Sequence, residues 1–170
     1  MNERLNVLTN FVVIGVALLI GGTFLKNYIA LSSDSSSSFG PTVGDKISPP
    51  RGYSWINHPL TLVLALKDGC QYCERNMPFY RTIAKRVHYI NHSTAQVIAV
   101  FPDSADTVAR LKAKESLDFA IILTNVKLSS LRVTNTPTVF LVDSDGIVRR
   151  VWIGTLNAAD QAAVLDSLQS

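Results

Sequence analysis

Seven consecutive residues, Leu60-Thr-Leu-Val-Leu-Ala-Leu66, form a continuous apolar run bounded by Pro59 and by Lys67-Asp-Gly69. Alternate side chains of a strand point to opposite faces, so a strand of this composition is stable only when both faces are covered. That requirement selects a central sheet with a layer of structure on each side. Directly beyond the run the period changes. Met77, Tyr80, Ile83, Ala84, Val87 and Ile90 recur near the 3.6-residue spacing and predict a helix from Cys70 to about Asn91.

The two cysteines of the chain, Cys70 and Cys73, therefore fall at a strand-to-helix junction. With two residues between them, both sulfurs lie in the first helical turn, close enough to bridge. The backbone N–H groups there have no intrahelical partner, and the helix dipole is positive, which favours a thiolate at Cys70. A thiolate is the nucleophile that attacks a disulfide, and Cys73, one turn in and less exposed, is placed to resolve the mixed disulfide. A structural disulfide or two inert buried thiols are the competing interpretations, and the junction favours the reactive one.

The rest of the chain continues the alternation. Ala95 to Phe101 reads as a second buried strand, followed by a helix capped at Asp103 or Ser104 and running to about Leu117. Phe119 to Leu123 reads as a short strand and Leu128 to Leu131 as one helical turn. Thr138–Val142 and Ile147–Ile153 flank Asp143-Ser-Asp-Gly146, which predicts a hairpin. A last helix is expected from a cap near Asn157 through Leu168. The order predicts an α/β domain with a central mixed sheet and helices on both faces.

Before this domain, residues 5 to 25 carry no charge, a run of 21 residues. As a helix it would extend roughly 30 Å, about the thickness of a bilayer's hydrocarbon core. Ser32-Ser-Asp-Ser-Ser-Ser-Ser-Phe-Gly40 has the composition of a flexible linker. The expected organisation is a cytoplasmic tail (1–10), a transmembrane anchor (11–31) in contact with lipid, a Ser-rich linker (32–42) and a globular domain (43–170). A cleaved signal peptide is the alternative, with Ala30 and Ser32 as small residues near its end. The net charge of +3 comes from scattered residues, and Lys85-Arg86 and Arg149-Arg150 are isolated doublets, a pattern that excludes a nucleic-acid-binding stripe.

From about residue 43 onward the sequence resembles the thioredoxin-like superfamily, and in particular the membrane-anchored TlpA-type thiol–disulfide oxidoreductases. The resemblance rests on Val43-Gly-Asp-Lys46, Cys70-Gln-Tyr-Cys73, Pro78 inside the active-site helix, Thr136-Pro137 before a strand, and Thr138-Val-Phe-Leu-Val-Asp-Ser-Asp-Gly146. It implies a thioredoxin-like fold and an oxidoreductase that exchanges disulfides with protein thiols. Cys70 and Cys73 would be catalytic, while Thr136, a cis Pro137, Gln71 and Tyr72 would face the substrate. It implies no metal or organic cofactor, only the redox-active disulfide, and makes a membrane dithiol reductase or oxidase a candidate electron partner. The domain would lie in the periplasm, or outside the cell, on a single-pass anchor in a bacterial inner membrane.

Three positions depart from the family pattern. Gly69 stands where an aromatic residue usually precedes the first cysteine. Leu64 stands where thioredoxins bury an acid, and Asn76 where some TlpA-type reductases carry Glu. Other chemistries fit less well. Cys70, Cys73, His88 and His92 have near-finger spacing, but one helix would hold His88 roughly 25 Å from Cys70, far beyond a shared zinc ion. Related copper chaperones add a distal His, and none follows His92. The Pro and Thr expected before a peroxidatic cysteine are absent from Leu64-Ala-Leu-Lys-Asp-Gly69. A non-catalytic module binding a partner or copper is the main alternative function.

Overall fold

The computed structural model describes residues 40–89 and 95–168. The expected tail, membrane anchor and most of the linker lie outside the described residues. Among the described residues no helix is long and apolar enough to cross a membrane. In chain order the elements are β1 (Leu60–Ala65), α1 (Gln71–Tyr89), β2 (Ala95–Val100), α2 (Ala105–Glu115), β3 (Ile121–Leu123), β4 (Thr138–Asp143), β5 (Val148–Ile153) and α3 (Ala158–Asp166). Two 3-10 turns, Trp55–Asn57 and Leu128–Leu131, complete them.

The apolar run forms the central strand, as its composition requires. The sheet order is β3-β2-β1-β4-β5. β1 runs parallel to β2 and antiparallel to β4; β3 is parallel to β2 and β5 antiparallel to β4. Leu62 and Leu64 face one side and Val63 and Ala65 the other, all fully buried. This is a thioredoxin-like α/β fold with a mixed central sheet.

The expectation of helices on both faces needs correction. Leu62, Leu64, Val97, Ala99, Val139 and Leu141 pack in one cluster with residues of all three α-helices: Met77 and Ile83 of α1, Val108 and Leu111 of α2, Val164 of α3. The reason is topological. β1-α1-β2 and β2-α2-β3 step across the sheet in the same direction, and right-handed crossovers then place both helices on the same face. The opposite face, with Val63, Ala65, Ile98, Val100, Phe140 and Val142, is roofed by Ile47, Trp55, Val126, Leu131 and Val133, from the two short turns and the segments beside them.

The predicted caps form. Ser104 Oγ accepts the Thr107 N–H at the start of α2, while Asn157 and Asp160 make a reciprocal capping box at α3. Chain leading into the domain is part of the fold. Gly40 and Pro41, placed within the linker by sequence, are buried, with Gly40 against Ile153 and Thr138. Lys46 then bridges Ile147 in antiparallel fashion.

The β4–β5 turn depends on two residues. Gly146 has φ +81°, and a Cβ there would lie 2.6 Å from the Ile47 carbonyl oxygen, which accepts the Trp55 indole N–H. Asp143 Oδ1 accepts the N–H groups of Asp145 and Ile147 at 3.0 and 2.9 Å, and Oδ2 accepts from Arg149 Nε at 2.7 Å. Burial opposes ionisation of Asp143, but the Ile147 N–H, the Arg149 guanidinium and the Asp145 N–H outweigh it and hold its carboxyl below the usual carboxylate range. A depressed native pKa stabilises the fold above the unfolded value, about 3.9, and that contribution is lost as pH falls through the native one. Asp143→Asn should therefore lower stability at pH 7 by on the order of 1 kcal/mol. Urea denaturation at pH 7 and at pH 3 should show that gap closing at the lower pH.

Candidate active site

β1 delivers the chain to one end of the sheet, and Leu66 continues its ladder with an N–H to the Val100 carbonyl. Lys67, Asp68 and Gly69 are exposed, and Asp68 N–H donates to Asp103 Oδ2 at 3.0 Å, fastening this turn beside the start of α2. Gly69 has φ +66°, a left-handed conformation that other residues rarely adopt. The turn's geometry thus accounts for a glycine where an aromatic residue is usual.

Cys70 sits at the N-cap of α1. Its carbonyl accepts the Glu74 N–H, the first bond of the helix, and its Sγ accepts the Cys73 N–H at 3.2 Å. Cys70 and Cys73 are bridged, with Cα atoms 5.2 Å apart. The two sulfurs differ in access. Cys70 is half-buried, whereas Cys73 is wholly buried in the cluster that holds Met77 and Tyr80.

The second half of the site arrives by strand pairing. Ala65, the last residue of β1, is opposite Thr138, the first of β4, so the residues before Thr138 meet those after Ala65. The Thr136–Pro137 peptide is cis, as the resemblance implied. The Thr136 carbonyl oxygen lies 3.3 Å from Cys70 Sγ and its hydroxyl 3.4 Å away. Pro137 is buried and Thr136 half-buried. Gln71 and Tyr72 are exposed next to Cys70, and the Arg75 guanidinium lies 5.5 Å from the centre of the Tyr72 ring. The six expected site residues thus share one end of the sheet, with Cys70 and Thr136 in direct contact.

Asn76 was legible only as a departure from a family pattern. It is buried, with 1% of its surface exposed, on the inward face of α1. Its Nδ2 donates to the Gly154 carbonyl and to the Tyr80 hydroxyl, each at 3.1 Å, and its Oδ1 accepts the Leu156 N–H at 3.2 Å. A polar residue on an otherwise apolar helical stripe is the signal that marks such a position. Burial pushes the Tyr80 phenol well above its ordinary pKa, so it stays neutral. Leu64 is fully buried and apolar, and Glu74 is exposed.

The backbone of His88 lies in α1, roughly 25 Å along the axis from Cys70. His92 lies outside the described residues. Among the described residues, no group of three or more His, Cys, Asp or Glu side chains could hold a metal.

The AhpC/TSA family model matches residues 53–151. No curated protein matches the chain significantly. Among solved structures, a thiol:disulfide interchange protein from Bacteroides sp. superposes with a TM-score of 0.58 at 14% identity, covering 76% of this chain and 91% of that one. StoA from Bacillus subtilis gives 0.54 at 14% identity, covering 74% and 94%. A thiol-disulfide isomerase from Corynebacterium glutamicum gives 0.52 at 17%, covering 77% and 97%. At these identities the likeness is one of fold.

The Thr136 hydroxyl is within reach of a Cys70 thiolate as a donor. Thr136→Val should slow alkylation of reduced Cys70 by iodoacetamide roughly fivefold at neutral pH, the equivalent of about 1 kcal/mol. An unchanged rate would show that this hydroxyl does not support the thiolate.

Proposed function

The chain belongs to the AhpC/TSA family, and from that premise we propose that it is a thiol–disulfide oxidoreductase exchanging disulfides with protein thiols outside the cytoplasm. One observation carries the reading. An accessible sulfur caps a helix beside the Thr136 backbone, with its partner sulfur buried directly behind it.

In the reducing direction, a Cys70 thiolate attacks one sulfur of a substrate disulfide. A Cys70–substrate bond forms, the substrate S–S bond breaks, and the other substrate sulfur leaves as a thiolate. Cys73 then loses its proton to that thiolate or to water and attacks Cys70 Sγ. The mixed disulfide breaks and releases the second substrate thiol, and the Cys70–Cys73 bridge holds the two-electron oxidation. Run backwards, the same steps oxidise a substrate dithiol. Thr136 lies where an extended substrate segment would pass Cys70, and exposed Gln71 and Tyr72 flank that path. The redox-active disulfide is the only cofactor this chemistry needs.

The uncharged run 5–25 and the Ser-rich stretch after it support a TlpA-type arrangement: one helix in the bacterial inner membrane, in contact with lipid, and the thioredoxin-like domain in the periplasm. Electrons would pass to or from a membrane dithiol reductase or oxidase, since an exchange protein must be reset after each turnover.

Equilibration in glutathione buffers, read by thiol alkylation, tests the proposal. A reversible Cys70–Cys73 couple between about −120 and −270 mV is expected. Cys70→Ser should abolish exchange, and Cys73→Ala should accumulate a mixed disulfide with the substrate. A bridge that stays closed below about −300 mV would mean a structural disulfide and a binding module. Turnover of hydrogen peroxide without disulfide exchange would mean a peroxidase.

A further inference from the structure

Gly154, between β5 and α3, is held through both of its flanking peptide groups. Its N–H donates to the Pro137 carbonyl at 2.8 Å, and its carbonyl accepts from Asn76 Nδ2 at 3.1 Å. Two residues on, the Leu156 N–H donates to Asn76 Oδ1 at 3.2 Å. Since Asn76 lies in α1 and Cys70 caps it, these contacts close a ring. It runs from Cys70 along the first turns of α1 to Asn76, through Gly154 to Pro137, and back from Thr136 to Cys70 Sγ at 3.3 Å. Gly154 takes φ +84°, with nothing within 4 Å of where a Cβ would lie, so the glycine serves the backbone turn rather than close packing.

An amide suits this place because it donates and accepts at once. A carboxylate only accepts, and would set its charge against the Gly154 carbonyl oxygen. We propose that Asn76 is a positioning residue that fixes the Thr136–Pro137 loop relative to Cys70 through Gly154, so that Cys70 meets an extended peptide substrate in register. This deepens the exchange reading and rests on it. Asn76 touches neither sulfur. It acts on docking, whereas an amide that merely knits α1 to the β5–α3 loop would affect stability without distinguishing among substrates.

The test uses the full chain with two oxidised substrates: a disulfide-closed peptide, which must lie along the loop, and hydroxyethyl disulfide, which has no backbone to dock. Asn76→Asp should raise KM for the peptide about tenfold at pH 7 and leave the rate with hydroxyethyl disulfide within twofold. The groups facing this side chain are the Tyr80 hydroxyl and the peptides of Gly154 and Leu156. On lowering the pH the new carboxyl protonates and can donate to Gly154 again, so peptide exchange should recover relative to the parent protein. The opposite trend, a relative rate rising with pH, would mark the carboxylate as a base for Cys73 and overturn the proposal. So would parallel loss of both substrates.

Asn76→Ser, neutral and too short to span the gap, covers the case in which the aspartate variant does not fold, and should show the same substrate split. Amide hydrogen exchange at Gly154 and Leu156 separates failure of the clamp from failure of the functional reading. If the parent protein exchanges neither substrate, the functional reading fails. Faster amide exchange at both positions in Asn76→Ser would still establish the clamp, and unchanged protection would refute it.

Discussion

The antiparallel register of β1 and β4 governs the site. Ala65 opposite Thr138 is an ordinary cross-strand pair at the end of the ladder between β1 and β4, yet it brings together two segments 66 residues apart, the one carrying Cys70 and the one carrying Thr136. The contacts between Cys70 and Thr136 inherit that register. A slip by one residue would turn the side chains of a strand to its other face, exchanging Leu62 and Leu64 for Val63 and Ala65 against the helices. The core therefore defends the chemistry, because the apolar pattern that buries β1 on both faces also sets how far Cys70 lies from the cis peptide.

Local signals in the sequence were reliable guides. The composition of β1, the period of α1, the caps at Ser104 and Asn157 and the Asp143–Gly146 turn are each written within a few residues, and each element formed. The cysteine pair was legible as a candidate for the same reason, whereas Thr136-Pro137 was legible only through the family resemblance. The face each helix would cover was not, because it depends on the order in which distant strands pair, and two crossovers stepping the same way put their helices together. The roof of the opposite face, with Ile47 and Trp55, was likewise hidden in a stretch lacking any period. Arg149 read only as half of an isolated basic doublet; it is exposed, but its guanidinium also closes the Asp143 network.

The departures from the thioredoxin pattern have different physical meanings. Gly69 answers a backbone requirement at φ +66°. Leu64 completes an apolar face against α1. Asn76 satisfies partners 78 and 80 residues further along the chain, which no local pattern could announce. A missing acid is thus two separate substitutions, one serving packing and one serving hydrogen bonding.

The burial of Gly40 carries a geometric consequence. Its neighbours Thr138 and Ile153 directly follow Pro137 and precede Gly154, so the described chain enters at the redox end of the sheet. From there it runs along β5 to Lys46, beside the hairpin turn. Residues 40–46 thus run from beside the reactive site toward the hairpin turn. Gly44 and Asp45 exchange backbone hydrogen bonds with Val148, so this stretch covers part of the outer side of β5 and keeps that edge from pairing with another chain.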